Sequence, residues 1–128
     1  YLRPDRKWIL GDGNRVFYYK FLDPKQNEML GVSVFDVDTR SFRLSRQISA
    51  EKARWEPGLK TWVFQNGWSR KLTNIAQQEF LDFRGGTTTF SDIRETPDYF
   101  VKEVKQGKQM NFQELNGYIR ELQQSGFD

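Results

Sequence analysis

The stretch VFYYKFL, residues 16–22, places large apolar side chains on both faces of any strand it forms. Successive side chains of a strand point to opposite sides. Val16, Tyr18 and Leu22 therefore face one way, and Phe17, Tyr19 and Phe21 the other. The pattern recurs. Val32 and Val34 oppose Phe35 and Val37, and Trp62 and Phe64 oppose Val63. A simple sandwich strand buries one face and solvates the other. Strands with two apolar faces leave three arrangements open. The second face is covered by helices or loops, it forms a groove for an apolar ligand such as a lipid chain, or its aromatics form a platform for sugars or bases.

Turn signals divide residues 1–94 into short strands. Trp8–Leu10 precedes GDGN (11–14), whose Asp-Gly suits a hairpin. Arg15–Leu22, Leu30–Val37 and Phe42–Ile48 follow, separated by DPKQNE and DTRS. Phe42, Leu44, Arg46 and Ile48 alternate with one Arg out of pattern. SAEKARW (49–55) reads as strand, EPGLK as turn and Thr61–Gln65 as strand; Asn66-Gly67 is a second hairpin signal. Trp68–Leu72 is a strand, TNIAQQEF (73–80) a loop or short helix, and Glu79–Arg84 with Thr88–Ile93 a last hairpin around Gly85-Gly86. No helix separates these strands, which argues against parallel βαβ units and for a mainly antiparallel sandwich, jelly roll or barrel.

The period changes at Glu95. Thr96-Pro97 is a cap followed by an N1 proline, with Asp98 in the first turn, predicting a helix to about Lys105. Asn111 and Glu114 have capping-box spacing, and Phe112, Leu115, Tyr118, Ile119 and Leu122 form one apolar face up to Gly126. Two short helices in 95–128, packed on one end of a β domain in 1–94, make a single domain. Tyr1 at the start and a helix stop just before the end are expected of a segment cut from a longer polypeptide.

The chain has no His and no Cys, which removes His acid–base chemistry, thiol nucleophiles, disulfides and the commonest zinc sites. Asp36 and Asp38 share a strand face but precede a turn, where Asp bonds locally. No catalytic group, metal or cofactor is expected. Twenty basic and seventeen acidic residues are scattered, not blocked, which reads as solvated surface and not a nucleic-acid footprint.

Three stretches together resemble the periplasmic domain of the lipopolysaccharide-export permease family LptF/LptG. They are WILGDGNRVFYY (8–19), ISAEKARWEPGLKTWVFQNG (48–67), and ETPDYF (95–100) with MNFQELNGYIRELQQSGFD (110–128). The resemblance is closer to the LptG branch. It implies an open antiparallel β-jelly roll inserted in an inner-membrane permease of an ABC transporter complex. The implied partners are lipopolysaccharide, a paired permease subunit, a cytoplasmic ATPase dimer and periplasmic bridge proteins; the domain itself is not an enzyme. It also favours the groove arrangement. Strand alternation then makes Val16, Tyr18, Val32, Val34, Leu44, Ile48, Trp62 and Phe64 the expected acyl-chain lining, with Ala50 and Ala53 leaving room. A carbohydrate-binding β-sandwich is the alternative; it requires Trp rings exposed on a flat face.

Overall fold

Three long neighbouring strands form the spine of the molecule: β4 (Glu28–Asp38), β5 (Arg43–Glu56) and β6 (Thr61–Asn74). The computed structural model describes residues 7–38, 40, 43–74, 77–106 and 120. Short strands complete the sheet. β1 (Lys7–Leu10) pairs with β2 (Arg15–Tyr19), and β2 and β3 (Phe21–Asp23) lie end to end along β4. β7 (Gln77–Asp82) and β8 (Thr87–Thr89) lie end to end along β6. Every pairing is antiparallel and the order follows the chain, so the fold is a mainly β, open antiparallel sheet. The helix α1 (Pro97–Gln106) follows.

Local chemistry sets the turns. Asp23 Oδ1 accepts the Lys25 and Gln26 amides at 3.0 and 3.3 Å, closing the turn between β3 and β4 as an Asx turn. The Glu56 carbonyl accepts the Leu59 and Lys60 amides between β5 and β6. Thr96 Oγ1 accepts the Tyr99 amide at 3.2 Å, the expected N-cap of α1.

A seam of irregularities crosses the sheet. The register passes from Val32↔Ala50 to Leu30↔Lys52, leaving Gly31 and Glu51 between them. On the next ladder it passes from Ala50↔Gly67 to Lys52↔Gln65, leaving Glu51 and Asn66. Gly31 and Asn66 have φ of 62° and 57°. Lys20 breaks β2 from β3 at this level, and residues 83–86 break β7 from β8. The register itself is unbroken there, with Gly31 opposite Glu51 and Glu51 opposite Asn66, so no strand gains a residue; the neighbouring strands each lose one step of alternation at the same level. Because β4, β5 and β6 reset together, one apolar face continues across the seam: Val34, Val32 and Met29; Ile48, Ala50 and Ala53; Phe64 and Trp62.

Several expectations change here. Asn66-Gly67 is not a hairpin, since β6 runs through it. A Cβ on Gly67 would overlap the Ser49 carbonyl and lie 2.7 Å from Ala50 Cα, so the glycine serves the close approach of β5. Gly85-Gly86 does not close a hairpin either; β7 and β8 both pair with β6 and not with each other. Gln77–Phe80 is strand, not loop or helix. Leu22 joins Phe17 and Tyr19, because the break at Lys20 resets its face. The first helix forms as expected but lies over the sheet, with Phe100 against both Phe17 of β2 and Trp62 of β6. The expected second helix, with its Asn111 cap, lies outside the described residues apart from Arg120.

Candidate functional site

Among the described residues, the segment 90–101 covers the inner face of the sheet, and we call it the strap. Phe100 reaches the middle of the face and is fully buried. It meets Phe17, Trp62 and Tyr19 edge-on, with ring centroids 4.9, 5.8 and 6.4 Å away. Such edge-to-face pairs contribute about 0.5–1.5 kcal/mol each beyond their burial. Ile93 joins the same cluster, and Phe90 packs against it, edge-on to Phe64 at 5.4 Å.

Polar contacts fix the strap at its middle. Thr61 Oγ1 donates to the Ile93 carbonyl at 2.8 Å, and Trp62 Nε1 donates to the Glu95 carbonyl at 2.7 Å. Three inward residues at one end of the sheet lie in register, Arg15↔Asp36↔Arg46. Asp36 bridges the two cations, 2.9 Å from Arg15 Nε and 2.7 Å from Arg46 Nε. The strap adds two carboxylates. Glu95 Oε1 lies 2.9 Å from Arg15 Nη1, and Asp92 Oδ2 lies 3.1 Å from Arg15 Nη2 and 2.6 Å from Arg46 Nη2. Glu95 Oε2 also accepts the Asp12 amide at 2.8 Å. Glu95 and Arg15 are buried, while the Asp92 side chain is half exposed.

The contacts of Asp92, Arg15 and Arg46 favour their charged forms. Burial raises the Asp92 pKa, but the Arg46 hydrogen bond and both guanidinium charges outweigh it and set the value below the ordinary carboxylate range. Burial lowers the Arg15 and Arg46 pKa values, and the carboxylates together more than reverse it.

The eight residues expected to line a groove divide between the two faces. Val32, Val34, Ile48, Trp62 and Phe64 lie together on the inner face, each no more than 1% exposed. Val16 and Leu44 belong to a second cluster with Phe35 and Val37, bordered by Trp8 and Leu72. Tyr18 is half-buried with its ring 4.5 Å from Trp8. It lines a cleft of about 700 Å³ along the seam, with Ser33, Ser49 and Trp68. Strand alternation does not fix the register between strands, which puts Val16 opposite Phe35 and Tyr18 opposite Ser33, and the register shift between Asp36 and Val37 turns Leu44 away from Ile48 within β5. Sequence reasoning found neither the ion cluster nor the strap. Arg46, out of pattern in its strand, was the visible signal of the first.

Among the described residues no helix is long and apolar enough to cross a membrane. No curated protein matches the chain. Residues 2–128 match the family described as lipopolysaccharide export system permease LptF/LptG. That match spans nearly the whole sequence, and the chain belongs to the LptF/LptG family of lipopolysaccharide export permeases.

Proposed function

We propose that this chain is the periplasmic domain of an inner-membrane lipopolysaccharide export permease, nearer the LptG branch, and that the inner face of its sheet is a path for acyl chains. In this reading 1–94 is an open jelly roll and 95–128 its helical end, in one domain. The parent permease pairs with a second permease subunit, draws on a cytoplasmic ATPase dimer and hands lipid to periplasmic bridge proteins. The observation that carries the reading is the continuous apolar inner face from Val34 and Ile48 to Phe64 and Trp62, covered, among the described residues, by a strap and not by a second sheet. Each methylene buried there is worth about 0.8 kcal/mol. Such a path needs shape and apolar surface, not catalysis.

The Trp positions disfavour the carbohydrate alternative. Trp62 is fully buried, and Trp8, Trp55 and Trp68 are half-buried, so none presents an open flat ring. Quenching by lipids with brominated acyl chains tests the reading, because bromine quenches indole only at contact. Variants retaining Trp62 alone or Trp68 alone compare the two faces. Quenching of Trp62 with Trp68 spared is the expected result. Quenching of Trp68 with Trp62 spared moves the lipid to the outer cleft and overturns the reading.

A further inference from the structure

The space that the acyl path requires is filled by the chain's own strap. Phe100 and Ile93 are both fully buried on the inner face, beside Trp62, Phe17 and Ile48. We propose that residues 90–101 are a displaceable plug: Phe100 and Ile93 stand in for acyl chains, the Arg15–Asp36–Arg46–Asp92–Glu95 cluster latches the strap in place, and an entering lipid chain exchanges with them. This inference rests on the acyl-path reading.

Three features make exchange feasible where displacement of a strand is not. The first is chemical likeness. Phe100 and Ile93 present apolar surface to the face, so an acyl chain replaces like with like, and the sheet keeps its burial. Strands β4, β5 and β6 hold one another through long backbone ladders; among the described residues the strap joins no ladder and is tied to the sheet chiefly through side chains, those of Thr61, Trp62 and Tyr99 and the ion cluster.

The second is the latch. Ion pairs taken from water return little net stability, because desolvation offsets their attraction. What they provide is register. Asp92 engages both arginines and Glu95 engages Arg15 only when the strap is seated, and the half-exposed Asp92 gives water a route to rehydrate the cluster as it opens.

The third is a point of entry. A partly polar cleft of about 380 Å³ lies between the turn before β4 and the start of α1, lined by Pro24, Asn27, Trp55, Thr96, Pro97, Asp98 and Val101. Trp55 is edge-on to Trp62 at 5.4 Å, and Trp62 meets Phe100. An apolar chain wedged in this cleft would lie two rings from the plug.

The test uses the intact permease with lipopolysaccharide as the probe. Hydrogen exchange is followed over residues 90–101 and over β4–β6, and a photoreactive residue replacing Ile48 reports lipid on the inner face. Lipid is expected to speed exchange in 90–101 several-fold while β4–β6 stay protected, with lipid adducts at position 48. The Asp92→Asn, Glu95→Gln double variant is expected to speed exchange without lipid and to raise adduct yield. Thr61→Val, which removes the hydroxyl and its ties to the Ile93 and Phe90 carbonyls, should do the same more weakly and covers the case in which the double variant fails to fold. Adducts at position 48 with 90–101 equally protected with and without lipid would overturn the plug and leave the acyl path standing. No adducts in the wild type or either variant would overturn both.

Discussion

The Glu95 carboxylate and the α-carbon of Gly11 are so close that a β-carbon on residue 11 would overlap Glu95 Oε2 and lie 2.6 Å from Phe17 Cε1. The turn between β1 and β2 thus receives the strap, and residue 11 has to be small. Gly11→Ala is expected to destabilise the domain by about 1–3 kcal/mol through overpacking at a rigid site. Chemical denaturation measures this. An effect within a few tenths of a kcal/mol would show that Glu95 does not seat here.

Arg15 faces Asp36, Asp92 and Glu95 together. Its removal leaves three carboxylates near one remaining guanidinium. Arg15→Ala should therefore cost about 3–5 kcal/mol, the penalty for stranding buried charge. Arg15→Lys should cost less but still measurably, since an ammonium lacks the planar fork that reaches three partners. Equal losses for Lys and Ala in the same denaturation series would mean that geometry, not charge, decides.

The cluster also sets an acid response. The folded Asp92 pKa is depressed below its unfolded value. Its contribution is therefore complete above the unfolded value, about 3.9, and is lost as pH falls through the folded one. Asp92→Asn should flatten the fall of stability below about pH 4 relative to wild type. Stability measured by urea midpoint across that range checks it, and parallel curves for the two proteins would contradict it.

Gly67→Ala probes the seam. The added carbon meets the backbone of Ser49 and Ala50, which is central ladder and has no rotamer to yield. A loss of about 3 kcal/mol is expected, seen as a fall in urea midpoint. A silent substitution would mean that β5 and β6 do not approach so closely.

What could be read from the sequence followed from local rules. The Thr96-Pro97 helix start, the turn at 56–60 and the doubly apolar strands all depend on neighbours in the chain, and all are present. Asn66-Gly67 has the chemistry of a hairpin, yet it lies inside the continuous strand β6, where the close approach of β5 requires the glycine. The split of the expected lining set has the same origin: Val16 and Val34 each alternate correctly within their strands, but which face each occupies depends on register between strands. The strap was illegible for another reason. Asp92 and Glu95 meet Arg15 across some eighty residues, and no local pattern encodes that meeting.

Photocrosslinking in the intact permease tests the acyl path most directly. Photoreactive residues at Val34, Ile48 and Trp62 report the inner face, and at Val16, Phe35 and Leu44 the opposite one. During active export the first set should form adducts with lipopolysaccharide, and the second should not. Adducts confined to the second set, or absent from both, would contradict a lipid path along the inner face.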